Sequence, residues 1–272
     1  MQTLRLSTTL TLILLLIIAE HTLTAAEIPG KRSTWNGFVR SDFQLNEHTV
    51  TVIIPRQPAA DHPWVWHGEF FGHKPVPDVA LLRRGFHIVY TRCSDLFGAP
   101  AAISHWNTVY RKLTEECGLG PRPALVGTSR GGLYCYNWAA ANPQKVSCIF
   151  GDAPVCDLRS WPLGQGTGKR SDAEVQKLLA VYRVTDEQTL VQQALSPVDQ
   201  LQPLAAAGHD RHLERATLAL RSAHDRGQGA ERYFHIDAAQ VVVPCVLDFQ
   251  HVLHGVWCLS TAIGRHGNRL TT

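Results

Sequence analysis

Several features that would identify a class of ligand are missing from this sequence. It has no Cys-x-x-Cys motif and no paired Cys/His spacing, so a zinc site is not supported, and no metal ion or other cofactor is expected. The net charge of +3 is small and no basic stripe is interleaved with aromatic residues, which argues against a nucleic-acid partner. The 272 residues are 44% hydrophobic and 18% charged, a balance that suits one α/β domain with a single large core.

The N-terminus has the parts of a secretory signal peptide. Arg5 precedes a compact apolar run from Leu10 to Ala19, and small residues follow at Thr24-Ala25-Ala26. We expect cleavage of residues 1–26, a mature chain beginning near Glu27, and a secreted or periplasmic protein. The run is short for a membrane span and no Cys follows it, so no stable membrane insertion is expected after cleavage. An uncleaved anchor is the alternative.

The sequence contains seven cysteines, an odd number. Export permits disulfides, and at least one thiol then stays free or pairs between chains. Cys135 and Cys148 lie in apolar patterns and are predicted to be buried small hydrophobes.

The strongest chemical signal lies at the centre of the chain. An apolar run at residues 124–126 meets Gly-Thr-Ser-Arg-Gly at residues 127–131, and apolar residues then recur at helical spacing. A strand that turns sharply into a helix at Gly-x-Ser-x-Gly is the nucleophile elbow of the α/β-hydrolases. Ser129 is therefore the predicted nucleophile. The N–H of Arg130 and the helix N-terminus would face an oxyanion formed there.

The segments around this motif alternate between strand and helix patterns, which predicts a mostly parallel sheet with helices on both faces. An antiparallel hairpin is expected at the sheet edge. The predicted strands are 38–45, 49–55, 64–66, 86–90, 124–128 and 146–150, and the predicted helices are 77–84, 100–117 and the elbow helix that stops at Asn142-Pro143.

Two further stretches lie where this fold places active-site groups. The loop after the third strand supplies the second oxyanion N–H, which points to Gly68 or Glu69. The neighbouring His67 is predicted to order this loop, because the catalytic histidine of the fold comes last in the chain. Asp152 closes the strand beside Ser129, and it is a candidate triad acid, an orienter of the catalytic histidine or a helix cap.

A helical cap is predicted at about residues 153–207. Its helices are expected at Asp172–Tyr182, Asp186–Leu195 and Pro197–Ala207, after a loop over residues 161–169 that would face substrate. Trp161 in this loop is a candidate contact for a sugar or aryl group.

From about Trp35 to Gly208 the chain resembles a family of secreted bacterial α/β-hydrolases. The matching stretches include WHGEFFGHKP, GTSRGGLYCYNWAAANPQKV, GDAPVCDLRSWP and LSPVDQLQPLAAAG. The resemblance implies an α/β-hydrolase core over residues 27–208 and a serine esterase or peptidase. The Ser-Arg pair is also similar to the elbow of glucuronoyl esterases, where the arginine is thought to help hold the oxyanion, which suggests that role for Arg130.

The resemblance ends abruptly, and residues 209–272 are an aberrant or diverged C-terminal region with doubtful strands. The family continues with Gly-Asp-Ala-Asp and Gly-x-x-His-His-Pro-His motifs that carry its acid and base, and neither is recognisable here. The tail is diverged or out of frame, and the abrupt change favours the second. If it folds, the best strand is 241–247, and His254 or alternatively His251 would be the base after it.

The sequence therefore leaves competing functions. The first is a secreted serine hydrolase that cleaves a carboxylic ester, on a small molecule or a carbohydrate, through an acyl-enzyme on Ser129. An exopeptidase would use the same chemistry on another acyl substrate. The alternative from a different class is an inactive remnant that keeps the elbow without its acid and histidine.

Overall fold

A mixed β-sheet lies at the centre of the computed structural model, which describes residues 27–166, 168–193, 196–200 and 202–204. Several predictions fall outside these residues and stay predictions. They are the signal peptide at 1–26, the C-terminal region at 209–272, the strand at 241–247 and the candidate bases His251 and His254.

The described part of the sheet has seven strands in the order β1-β2-β3-β5-β4-β6-β7. The first three form an antiparallel meander, β3 pairs antiparallel with β5, and β5, β4, β6 and β7 run parallel. Their bounds are β1 Lys31–Trp35, β2 Phe38–Leu45, β3 His48–Ile54, β4 Trp64–His67, β5 His87–Thr91, β6 Ala124–Thr128 and β7 Cys148–Asp152.

Helices pack on both faces of the sheet. Their bounds are α1 Val76–Arg83, α2 Pro100–Arg111, α3 Gly131–Ala141, α4 Asp172–Tyr182, α5 Glu187–Gln193 and α6 Gln202–Leu204. Local sequence sets several ends: a proline stands in the first turn of α2, Gly85 takes a left-handed φ of 89° just beyond α1, and α3 stops before Pro143. The strand order and the sharp β6–α3 turn fit the predicted α/β-hydrolase fold.

Alternation along the central strands builds two cores. Trp64 and Trp66 of β4 face the core that contains α2 and α3, whereas Val65 faces the core that contains α1. The Trp66 ring stacks on Trp106 of α2 with centroids 4.0 Å apart. The parallel strands are apolar nearly throughout because both of their faces are covered.

Three predictions about individual elements need correction. The hairpin is not the sheet edge, because β1 pairs outside β2. Strand β1, with the sequence Lys-Arg-Ser-Thr-Trp, is mostly exposed and lacks the apolar alternation of a buried strand. The second cap helix begins at Glu187, one residue later than predicted, and is described as far as Gln193 as α5. In the described part of the third predicted helix, Pro197–Asp199 is a 3₁₀ turn and Gln202–Leu204 is the short helix α6.

The cap helix predicted at Asp172–Tyr182 is confirmed as α4. Trp161, the candidate contact for a sugar or aryl group, is partly buried against the larger core, with its ring 6.3 Å from that of Phe97, and its contact with substrate stays a prediction. Cys135 and Cys148 are fully buried, as predicted. No helix in the described ranges is long and apolar enough to cross a membrane.

Two buried histidines make a prediction about acid stability. Burial lowers the pKa of His87 and of His105 to about 4, from an ordinary value of 6.5. Between about pH 6.5 and pH 4 these two histidines are protonated in the unfolded chain but stay neutral in the folded protein. The free energy of unfolding should therefore fall as the pH is lowered through this window. Urea midpoints measured from pH 7 downwards should fall less steeply for His105→Gln than for wild type.

The exposed His73 supplies the control for this measurement. His73→Gln should keep the wild-type slope of midpoint against pH. Parallel profiles for all three proteins would contradict the role given to His105.

Candidate active site

Ser129 occupies a strained turn directly between β6 and α3. Its φ of 48° lies in the left-handed region, which is unfavourable for a residue other than glycine. Three backbone hydrogen bonds hold it there: its N–H donates to the Asp152 carbonyl at 3.0 Å, and its carbonyl accepts from the N–H groups of Gly132 at 3.0 Å and Val155 at 2.7 Å. The side chain is exposed at the carboxyl edge of the sheet. This is the geometry of a nucleophile elbow.

The turn depends on very close packing between backbones. A Cβ at Gly68, in the loop after β4, would overlap the carbonyl group of Gly131 at the start of α3. A Cβ at Gly132 would stand 2.6 Å from the Cβ of Pro154, in the loop after β7. The loops after β4 and β7 therefore clamp the first turn of α3 from two sides, and only glycine allows this approach.

One of the two oxyanion donors predicted in the loop after β4 is already hydrogen-bonded within the sheet. The Gly68 N–H donates to the Val126 carbonyl at 2.9 Å, where it extends the β4–β6 pairing, so it is not available to a ligand. The N–H groups of Glu69 and Arg130 have no hydrogen-bond acceptor within the described segments. The Glu69 nitrogen lies 3.0 Å from the position that a Cβ at Gly131 would take. Two peptide donors thus remain beside Ser129, as an oxyanion site requires.

A buried hydrogen bond between two side chains fixes the start of this loop. His67, the last residue of β4, donates from Nε2 to Oδ1 of Asp78 on α1 at 2.9 Å, and both side chains are buried. Both groups are largely removed from water, so the loss of either partner would cost the other a buried hydrogen bond. The contact supports the predicted ordering role of His67, since it ties the residue before Gly68 to a helix.

The Arg130 side chain connects the loop after β4 to helix α4. Its Nη1 lies 3.4 Å from Oε2 of Glu174, and its Nη2 lies 3.8 Å from Oε2 of Glu69. Its guanidinium carbon also stands 5.8 Å from the centre of the Phe70 ring. The guanidinium therefore lies between two carboxylates, and the backbone N–H of Arg130 has no acceptor within the described segments.

Glu69 is a buried carboxylate at the centre of this group, with only 4% of its surface exposed. Burial raises its pKa, and the charge of Arg130, the Ser94 hydroxyl and the Phe70 N–H each offset part of that rise. The ion pair with Arg130 is thus the main compensation for burying this side chain.

Asp152 lies next to Ser129 but its role stays open. The residue is the last of β7, is half-buried and pairs in register with Thr128 of β6. The following residue, Ala153, also takes a left-handed φ, of 44°. The structure thus brings Ser129, Arg130, Glu69 and Asp152 to one edge of the sheet. The candidate bases His254 and His251 lie outside the described residues.

The described residues contain no group of three or more His, Cys, Asp or Glu side chains that could hold a metal ion.

Comparisons with known proteins find only distant similarity, to solved structures. No family model matches it, and no curated protein does either. It is similar to a cold-adapted esterase from an Arctic intertidal metagenomic library, with 14% identity, a TM-score of 0.37 and coverage of 45% of this chain and 64% of that one. A 2,6-dihydroxy-pseudo-oxynicotine hydrolase matches with 21% identity, a TM-score of 0.44 and coverage of 61% and 50%.

A Mycobacterium tuberculosis puromycin-hydrolyzing peptidase matches with 16% identity and a TM-score of 0.48, over 65% of this chain and 30% of that one. The chain thus spans less than two thirds of the length of each of these three proteins. At such scores the fold rests on the strand order and the elbow rather than on these matches.

Some functional neighbours carry no sequence signal of their role. Three residues around the site belong to no recognisable motif. On α1, Asp78 contacts His67, whereas Arg130 is contacted by Phe70 from the loop after β4 and by Glu174 from α4. Their partners are fixed only when the helices dock. The one hint is that Asp78 follows two prolines at a helix start, where an acidic residue is ordinarily exposed.

The buried pair predicts the effect of a substitution at Asp78. Asp78→Ala leaves the His67 ring without its acceptor, so the free energy of unfolding should fall by about 1–3 kcal/mol. Urea denaturation measures this loss. Glu47→Ala, in the exposed β2–β3 turn, should change the free energy of unfolding by less than about 0.5 kcal/mol. Equal effects of the two substitutions would show that the pair does not hold the loop.

Proposed function

We propose that this protein is a serine hydrolase that cleaves carboxylic esters through an acyl-enzyme on Ser129. One observation carries the proposal: an exposed serine in a left-handed turn stands at the sheet edge beside two unused peptide donors. The left-handed conformation of Ser129 costs conformational free energy, and strained residues of this kind cluster at active sites.

The reaction would proceed in two steps. Ser129 Oγ attacks the ester carbonyl carbon while a histidine takes its proton, and the N–H groups of Arg130 and Glu69 bind the oxyanion. The alcohol leaves with that proton, and water then hydrolyses the acyl-enzyme by the same route. In this proposal His254, or alternatively His251, is the base and Asp152 orients it. Substrates would be small-molecule or carbohydrate esters.

One observation favours the second candidate, an inactive remnant. His67, the histidine at the start of the loop after β4, is paired through Nε2 with Asp78 and is not free to serve as the base, and the candidate bases His254 and His251 lie outside the described residues. If the C-terminal region supplies none, Ser129 stays a protonated alcohol and attacks weakly. Loss of one triad member lowers turnover by about 10⁴-fold in a serine protease.

A fluorophosphonate probe separates the two candidates. Ser129 should be the residue labelled in the full chain, since activated serines react with such probes and ordinary hydroxyls do not. Peptide mass spectrometry identifies the site, and Ser129→Ala should abolish labelling. Hydrolysis of a short acyl ester by the same preparation should fall by about 10⁴-fold in His254→Ala if that residue is the base. Labelling that persists in Ser129→Ala would refute the proposal, and an unlabelled, folded wild type would identify the remnant.

Export is part of the proposal and has its own test. Removal of residues 1–26 would leave Glu27 as the new N-terminus, four residues before β1. Expression of the whole chain with its own N-terminus, followed by N-terminal sequencing of the exported fraction, should give a start near Glu27. An intact Met1 in a membrane fraction would instead indicate an uncleaved anchor.

A further inference from the structure

Phe70 is an exposed aromatic residue at the edge of the candidate active site. Its side chain is 41% exposed, and its φ of 55° places it in the left-handed region. The turn that holds this conformation is closed by a hydrogen bond from the His73 N–H to the Phe70 carbonyl at 3.0 Å. A large apolar residue in a strained and exposed position has a cost in stability, which points to a use outside the packing of the core.

The adjacent residue shows that the exposure of Phe70 follows from how the loop is anchored. Phe71 packs inward, stacked against Trp35 at 5.1 Å and Tyr90 at 5.7 Å between ring centres. The left-handed turn at Phe70 directs the two neighbouring rings differently, one into the protein and the other outward. The loop that carries Phe70 is thus anchored by the packing of Phe71 and by the hydrogen bond from the His73 N–H.

Phe70 is also tied to the nucleophile through Arg130. The Arg130 guanidinium lies 5.8 Å from the centre of the Phe70 ring, and Arg130 directly follows Ser129. The guanidinium contacts the ring, and 41% of the residue stays exposed near the residue that follows Ser129. A flat group attached to a scissile ester would therefore meet the aromatic surface of Phe70.

The surrounding charges limit what this flat group can be. Two carboxylates, Glu69 and Glu174, lie at the single guanidinium of Arg130. Glu174 also contacts Lys177, which in turn contacts a third carboxylate, Asp95. Carboxylates thus outnumber cations along this chain of contacts, so a substrate ring with its own negative charge would be repelled.

We infer that Phe70 is a specificity-determining residue that stacks an uncharged aromatic ring of the ester next to Ser129. This inference rests on the proposed function and adds the substrate class to it, an aryl ester or the ester of an aromatic acid. Aromatic rings favour offset stacking or edge-to-face contact, and either arrangement is available on an exposed phenyl ring.

Two sulfonyl fluorides of different shape test the inference. Ser129 Oγ displaces fluoride from phenylmethanesulfonyl fluoride or methanesulfonyl fluoride, forming the O–S bond and passing its proton to the base. The quantity measured is the ratio of the two inactivation rates. Phe70→Ala should lower this ratio by about five-fold to ten-fold, and Phe70→Tyr should restore it because the ring is kept.

Val39→Thr is the matched control, because Val39 is 48% exposed and lies on β2, outside the candidate site. This variant should keep the wild-type ratio, and all variants should unfold at similar urea concentrations. A ratio that is unchanged in Phe70→Ala, or is lowered equally in Phe70→Tyr, would overturn the inference.

A binding measurement separates this inference from the proposed function. In the Ser129→Ala background no hydrolysis is needed, and saturation-transfer NMR reports contact between the protein and phenyl acetate. Transfer to the phenyl protons should weaken when Phe70→Ala is added, and it should persist when Val39→Thr is added. Absence of sulfonylation in wild type would refute the hydrolase alone, whereas equal transfer in both double variants would refute the stacking role of Phe70.

Discussion

Contact between the loop after β4 and the first turn of α3 is the constraint on which the candidate site depends. A Cβ at Gly68 would overlap the Gly131 carbonyl, and a Cβ at Gly131 would be tightly packed against the Glu69 backbone. The contact holds the Glu69 N–H close to the start of α3, which directly follows Ser129 and Arg130. A displacement of about 1 Å between loop and helix would separate donors that have to act on a single oxygen atom.

The sheet and two helices support this contact. The Gly68 N–H extends the hydrogen bonding between β4 and β6. His67 is hydrogen-bonded to Asp78 on α1, and Arg130 connects the loop after β4 to α4 through Glu69 and Glu174. The buried His67–Asp78 hydrogen bond is the stronger of the two side-chain supports, since the Arg130 contacts are long and partly exposed.

The sequence predicted the parts of the molecule whose signal is local. Strand β6, the turn at Ser129 and helix α3 follow from an apolar run, two glycines and a helical pattern within a short stretch. Helix α4 was likewise predicted with its observed bounds. Strand β1 was missed because its residues are polar and become a strand only by pairing with β2. Which of the Gly68 and Glu69 N–H groups is available to a ligand could not be predicted, because it depends on which of them is hydrogen-bonded within the sheet. The register of β4 and β6 determines this.

Burial of the cysteines governs their redox chemistry and the order of events during folding. All five described cysteines are buried, and burial raises the pKa of Cys93 to about 12 and also raises the pKa of Cys135 and Cys156. Since the thiolate is the form that attacks disulfides, these sulfur atoms are inert once the chain has folded. The unfolded chain has no such protection. In an oxidising compartment, the yield of native protein would therefore depend on a race between collapse of the core and formation of mispaired disulfides.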